Sequence, residues 1–232
     1  MAKASAIAAY IIGQLGLAVL SVYVVFSGLR LWPRDEASPG VIPWIVDCGW
    51  LALFALQHSG MARSGFKQAW THWVPPALER SIYVAASGLV TLVLPLVWQP
   101  LPGEALWQDQ YWLLPISLAG AVGVALCCRS FDHLEFFGLR QVGFGRPTAE
   151  ADGLRINGVY RWVRHPLMVT TLLFLWAQPT MLPELLLLNG GLTLYILIAI
   201  HLEERELVRK FGQAYEDYRR RVPALVPWKL GN

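Results

Sequence analysis

Apolar residues run almost unbroken along several stretches of this chain, and short polar clusters separate them. A membrane-crossing helix needs about 20 mostly apolar residues. The pattern predicts such helices over about Ala4 to Leu29, Val41 to Met61, Ile82 to Trp98 and Tyr111 to Cys128. "RLWPRDEASPG" ends the first with prolines, a glycine and mixed charge, and "WQPLPGEALW" ends the third. A long polar stretch, Arg129 to Arg164, follows the fourth. The last apolar region starts at Pro166 and is divided by "QPTMLPE". Proline inside a helix removes a hydrogen bond and clashes with the preceding turn, so Pro179 and Pro183 predict a tight hairpin. Its arms are Leu167 to Gln178, short for a span and therefore tilted or re-entrant, and Leu185 to about Leu202.

The expectation is an all-α polytopic membrane protein with five to six transmembrane helices and a C-terminal helical hairpin. Composition agrees: 55% of residues are hydrophobic, 15% are charged and the mean hydropathy is +0.43, where soluble domains carry about 25% charged residues. Eleven tryptophans suit aromatic belts at two membrane interfaces. A net charge of +3 is too small to argue for nucleic acid. The placement of charge says more. Arg63 to Arg80, Arg129 to Arg164 and the C-terminal tail are basic, while "PLPGEALWQDQ" holds acids and no base. The positive-inside rule then puts both termini in the cytoplasm. A retained first span fits the N-terminus better than a cleaved signal peptide. Cys48, Cys127 and Cys128 lack C-x-x-C spacing and are expected to be small buried hydrophobes, with no disulfide framework or metal site.

Polar residues gather at the cytoplasmic ends of the helices. In "GVYRWVRHP", Pro166 favours a first helical turn. Arg164 and His165 therefore sit at a helix N-terminus, where free N–H groups and the dipole attract anions. Two readings fit: a grip on a carboxylate or phosphate, or a positive flank reaching to headgroups. In "HLEERELVRKFGQAYEDYRRRVPALVP", Glu203 and Glu204 point about 100° apart on a helix, so one can face the interior and hold a cation while the other faces water. Tyr215 and Tyr218 share a helix face, to close over a flat ring or to pack an amphipathic helix. Asp132 and His133 are candidates for a base pair or for a helix cap. Gln57 and His58 lie in the last turns of the second span, as functional groups or as interhelical hydrogen bonds. "GFGRP" lacks the flanking strand of a nucleotide fingerprint. Together these residues describe a cytoplasm-facing site with an anion-holding and a cation-holding half, suited to a zwitterionic amino-acid end.

"GVYRWVRHP", followed some 35 residues later by "LEERELVRKFGQAYEDYRRRVPALVP", resembles the isoprenylcysteine carboxyl methyltransferase superfamily of membrane methyltransferases. "QHSGMAR", "WTHWVPPALERSIYV", "FDHLEFFGLRQV" and "LEERELV" are similar to its bacterial methanethiol S-methyltransferase subgroup. The resemblance implies a single integral membrane domain over 1–232, with four N-terminal spans in 1–130 and a cofactor-binding part in 131–232. It implies S-adenosylmethionine in a cytoplasmic pocket of the bacterial inner membrane, held by Gly158, Tyr160, Arg164, His165, Pro166, Glu203, Glu204, Tyr215 and Tyr218. Arg164 and His165 would meet its methionyl end and a glutamate its amino group. The acceptor implied is methanethiol, a small volatile thiol that arrives through lipid, and the products are dimethyl sulfide and S-adenosylhomocysteine. An alkyl thiol titrates above the ~8.5 of cysteine, so it needs a base or a nearby cation; His133 with Asp132, His58 and Arg140 are the candidates. No metal is required. The subgroup often has glycine where this chain has Thr170, which is expected to narrow the space beside the cofactor. The alternatives are another acceptor (a lipid amine or prenylcysteine carboxylate), a non-enzymatic membrane protein of the NnrU type, or an NADPH-dependent sterol-type reductase.

Overall fold

The computed structural model describes residues 1–129, 132–145, 153–154 and 156–227. Among these residues every regular element is helical. In chain order the α-helices are α1 (Ala2–Gly28), α2 (Ile42–Ala62), α3 (Ser64–Trp70), α4 (Pro76–Val97), α5 (Leu114–Arg129), α6 (His133–Phe136), α7 (Pro166–Trp176), α8 (Pro183–Phe211) and α9 (Gln213–Arg221). Short 3-10 turns lie at Tyr111–Leu113, Arg140–Val142 and Gly158–Arg161. Prolines open α2, α4, α7 and α8, where the missing N–H costs nothing.

This is an integral membrane protein. Four helices, Ala2–Gly28, Pro76–Val97, Tyr111–Arg129 and Pro183–Phe211, are long and apolar enough to cross a bilayer. With its 21 residues α2 has the length, but Asp47, Gln57 and His58 dilute its apolar character. At 11 residues α7 is shorter than a span, as its position before Pro179 predicts. Large apolar side chains such as Leu15, Val22, Leu194 and Leu197 face outward, as they do toward hydrocarbon. The three cysteines are free, but they are not buried: Cys48 is exposed and Cys127 and Cys128 are partly exposed. In hydrocarbon an outward thiol is no less comfortable than a buried one, because both surroundings are apolar.

The largest departure from the hydropathy pattern is α8. The apolar run stops near Leu202, yet the helix continues to Phe211 over 29 residues. Glu, Leu, Arg and Lys are good helix formers, and nothing interrupts them before Gly212, whose φ of +54° and ψ of −132° suit glycine. At 1.5 Å per residue α8 is about 44 Å long, and the ~30 Å hydrocarbon core ends near Glu203. Similarly, α4 starts at Pro76 rather than Ile82, with Glu79 in its first turn.

The chain forms two compact units that alternate along the sequence. One comprises Met1–Tyr111, Phe131–Pro147 and Gln178–Gly191, the other Trp112–Ser130, Thr148–Ala177 and Leu192–Asn232. The fourth apolar segment thus groups with C-terminal residues rather than with the first three spans.

In the first unit α1 and α4 run side by side in the same direction and touch through glycines. A Cβ on Gly16 would lie 2.2 Å from the Gly88 carbonyl oxygen, and one on Gly88 would lie 2.7 Å from Gly13 Cα. Lipid supplies no hydrophobic drive between helices, so close backbone approach and dispersion hold them. The α7–α8 connection is buried at Gln178, Thr180 and Met181. Its backbone groups are satisfied by the loop after α4: Leu106 N–H donates to Met181 O (2.8 Å), Met181 N–H to Trp107 O (3.0 Å) and Gln110 N–H to Pro179 O (2.9 Å). Asp47, fully buried in α2, accepts a 3.0 Å hydrogen bond from Gln99 N–H in the same loop.

In the second unit α5 and α7 pack antiparallel, again through glycine. A Cβ on Gly120 would lie 2.5 Å from Phe174 N. Gly123 leaves a notch that Thr170 fills, since a Cβ there would lie 2.4 Å from Thr170 Cγ2. The Thr170 hydroxyl donates to the Pro166 and Leu167 carbonyls of its own helix. Its side chain is therefore a packing group opposite Gly123.

We predict that Gly16→Leu and Gly120→Leu each lower the melting temperature of the detergent-solubilised protein, over-packing costing about 1–3 kcal/mol or more. Gly190→Ala, where a Cβ meets nothing within 4 Å, should leave it unchanged or slightly raised.

Candidate active site

Glu204 is the centre of the second unit. It lies on α8, is 9% exposed, and its Oε1 accepts from Arg164 Nε (2.8 Å), Arg164 Nη2 (2.5 Å) and His165 Nε2 (3.1 Å). Arg219 Nη1 lies 3.9 Å from the second oxygen. An isolated carboxylate at this depth would be costly, so it persists only with such partners. Glu203, one residue earlier, has a side chain 52% exposed, with Oε2 3.7 Å from His165 Nδ1. The 100° turn between neighbours is thus resolved: Glu204 faces inward and Glu203 outward. Each ring nitrogen of the buried His165 faces a carboxylate.

Arg164 binds more than Glu204. Its Nη1 donates to the carbonyls of Arg219 (3.1 Å) and Val222. The backbone does the same work beside it: Arg164 N–H donates to Pro223 O (2.9 Å) and His165 N–H to Ala224 O (3.1 Å). Four guanidinium donors are therefore engaged within the protein. The expected division into an anion-holding and a cation-holding half does not describe this geometry, because opposite charges on facing segments neutralise each other first. Arg164 is a clamp that fastens the tail after α9 and the start of α7 to α8.

Tyr215 and Tyr218, on α9, are 1% and 4% exposed and meet edge to face with centroids 5.9 Å apart. They share a face, as their spacing predicts, and that face is turned inward. Tyr218 donates to Tyr160 O at 2.7 Å and so ties down the Gly158–Arg161 turn. Gly158 enters that turn at φ +62°, the left-handed region in which glycine is favoured. Pro166 is buried at the start of α7. The Tyr215 hydroxyl lies beside Arg164 and Glu204, and its proton has no acceptor among the described residues. Burial first, and then the Glu204 carboxylate, push it up to about 12; burial and Tyr215 push Tyr218 up to about 12 as well. Both hydroxyls keep their protons at neutral pH, so Tyr215 is an unused buried donor. Such a group fits a ligand bearing a hydrogen-bond acceptor.

The other candidates lie in the first unit. Asp132 does not pair with His133. Its carboxylate caps α6, accepting from Glu135 N–H at 3.0 Å, and it forms an ion pair with Arg140. The adjacency of Asp132 and His133 in sequence misleads because the cap and Arg140 take the Asp132 carboxylate. His133 is exposed and flanked by Phe137 and Tyr10 at centroid distances of 5.0 and 6.4 Å. His58 is bound at both nitrogens, Nδ1 to Ser87 Oγ (3.1 Å) and Nε2 to Tyr83 Oη (2.8 Å), and it stacks on Phe54. Gln57 donates to the same Ser87 at 3.1 Å. This is the interhelical network between α2 and α4. Sequence reasoning passed over Arg80, whose guanidinium lies 5.0 Å above the Tyr83 and Phe136 rings and donates to Phe136 O at 2.8 Å. The helical spacing of Arg80, Tyr83 and Ser87 on α4 places them on one face and was the available signal. Of "GFGRP", Arg146 and Pro147 lie outside the described residues.

The chain is 43% identical over 225 residues to methanethiol S-methyltransferase 2 of Bradyrhizobium diazoefficiens, covering 88% of this chain and 86% of that protein. It is 40% identical over 198 residues to the methanethiol S-methyltransferase of Mycobacterium tuberculosis, covering 79% and 78%. Human nurim is 34% identical over 192 residues, covering 75% and 71%. No family model and no solved structure matches the chain.

Breaking the buried cluster from one side leaves a charge without a partner. We expect Glu204→Gln to destabilise the purified protein by about 3–5 kcal/mol, read as a fall in melting temperature, and Glu203→Gln to change it little. Adding Arg164→Gln to Glu204→Gln should recover part of the loss.

Proposed function

The chain belongs to the family that holds the methanethiol S-methyltransferases and nurim, and from that premise we propose that it methylates methanethiol with S-adenosylmethionine, giving dimethyl sulfide and S-adenosylhomocysteine. The observation that carries this reading is 43% identity to a methanethiol S-methyltransferase across 88% of the chain. The basic Arg219, Arg220 and Arg221 beside the site favour a cytoplasmic face of the bacterial inner membrane.

S-Adenosylmethionine, when bound, supplies an electrophilic methyl group on a sulfonium. The donor set of the second unit suits such a group. The outward carboxylate of Glu203 can take an ammonium, and the unused Tyr215 hydroxyl can donate to an acceptor. Arg164, His165 and Glu204 are positioning residues that hold α7, α8 and the tail around them. Gly158, Tyr160, Pro166 and Tyr218 shape the adjoining turn.

The thiol must lose a proton for its sulfur to attack. In this reading His133 accepts it, because no hydrogen bond engages either ring nitrogen among the described residues, whereas those of His58 are both engaged. Arg140 and Asp132 hold the segment that carries His133. A neutral acceptor suits an apolar route, since methanethiol partitions into lipid.

Purified protein given methanethiol and S-adenosylmethionine should release dimethyl sulfide into the headspace. Cofactor binding without that product would overturn the thiol as acceptor, and absence of binding would overturn the methyltransferase reading. His133→Ala should lower turnover about a hundredfold or more, on the 10²–10⁴-fold scale of acid–base catalysis, while cofactor affinity holds; unchanged turnover would remove it as the base. Glu203→Gln should weaken cofactor binding more than Glu206→Gln does.

A further inference from the structure

The first unit holds a cavity of about 240 Å³ where the C-terminal ends of α1 and α4 meet the start of α8. None of the groups assigned to methyl transfer lines it. Tyr23, Trp32 and Trp98 form an aromatic wall, and Arg30, Arg34 and Glu184 supply its charge. Glu184 is 4% exposed and well satisfied: it accepts from Arg34 Nε at 2.7 Å and Nη2 at 3.3 Å, and from Leu101 N–H at 3.3 Å. Arg34 Nη2 also donates to Leu101 O at 3.2 Å, so Nε and Nη2 are engaged and Nη1 is left. Arg30 gives one bond, Nη2 to Gln108 Oε1 at 2.6 Å. A guanidinium carries five N–H donors, so among the described residues four remain unengaged on Arg30 and the two of Nη1 on Arg34. Two cations against one neutralised carboxylate leave the cavity positive.

Two further features mark it as a built site. Arg30 and Asp109, at φ +58° and +56°, are the non-glycine residues in the left-handed region among the described residues. Each conformation costs on the order of 1 kcal/mol. The Arg30–Gln108 bond joins the two turns that contain them, and Arg30 itself lines the cavity. The second feature is depth. The apolar helices α1 and α4 end at Gly28 and Val97, and α8 begins at Pro183. Trp32 and Trp98 lie just beyond those ends, at the level where indoles mark the lipid–water boundary. An anion reaching the cavity there comes from a headgroup layer.

We propose that this cavity seats the phosphate of an anionic phospholipid headgroup, held by the unengaged donors of Arg30 and Arg34 against the Trp32 and Trp98 rings. Charge-assisted donors match phosphate oxygens, and the aromatic wall suits the glycerol beyond them. This inference is independent of the methyl-transfer reading.

The test uses the full chain in a neutral detergent, with melting temperature and native mass spectrometry as readouts. Phosphatidylglycerol should raise the melting temperature and be retained as a bound lipid, while phosphatidylcholine should do neither. Arg30→Gln should weaken retention about tenfold or more, as loss of a charge-assisted bond implies. Arg34→Gln alone would strand Glu184, so the paired Arg34→Gln/Glu184→Gln variant is the second probe, and it should lose the lipid while staying folded. Equal retention by Arg30→Gln and the unsubstituted protein would overturn the proposal, as would equal effects of the two lipids. A shift with inorganic phosphate as large as that with phosphatidylglycerol would overturn the lipid as the source of the phosphate.

Discussion

A buried carboxylate dictates the second unit. Glu204 cannot exist as a charge at its depth without donors, and the donors it has, on Arg164 and His165, come from one segment 40 and 39 residues away in the chain. Arg164 and His165 stand at the mouth of α7. Arg164 in turn holds the carbonyls of Arg219 and Val222, and the backbone of residues 164 and 165 pairs with that of 223 and 224. Desolvation makes the arrangement all or nothing: each partner is needed because the others have already been taken from water. The tyrosines of α9 and the Gly158–Arg161 turn follow from it through Tyr218. One acid therefore organises the turn, the helix start and the tail that a ligand would meet.

A different constraint governs the transmembrane packing. Apolar side chains gain little by facing one another rather than lipid, so helices associate where backbones can approach. The Gly13, Gly16 and Gly88 contact between α1 and α4, and the Gly120 and Gly123 contact between α5 and α7, are two uses of that rule. Thr170 shows its other side. It is larger than glycine, but the facing Gly123 receives it, and its hydroxyl is satisfied within its own helix. Size at one position is legible only with its partner in view.

The apolar helices were readable because hydrocarbon demands long apolar runs, and the hairpin because Pro179 and Pro183 permit little else. The extension of α8 was not, since hydropathy stops at the first charge whereas helix propensity continues through Glu, Leu, Arg and Lys. The identity of the inward acid was also hidden. Glu203 and Glu204 are equivalent in pattern, and only the rotation of α8 against Arg164 distinguishes them. Asp132 and His133 failed as a pair because a helix cap and Arg140 take the Asp132 carboxylate, which adjacency in sequence does not reveal. Arg80 escaped notice because it was counted as topogenic charge rather than placed on a helix face.

The length of α8 has a mechanical consequence. Its apolar segment, Leu185 to Leu202, measures about 27 Å, close to the thickness of a typical hydrocarbon core, with Glu184 just before it and Glu203 just after it. The helix therefore acts as a ruler with little slack. In a bilayer of longer acyl chains the acids would be drawn toward hydrocarbon unless the membrane thinned locally, and in a thinner one apolar turns would emerge into water. Acyl-chain composition thereby becomes a variable to which the geometry around Glu204 is mechanically tied.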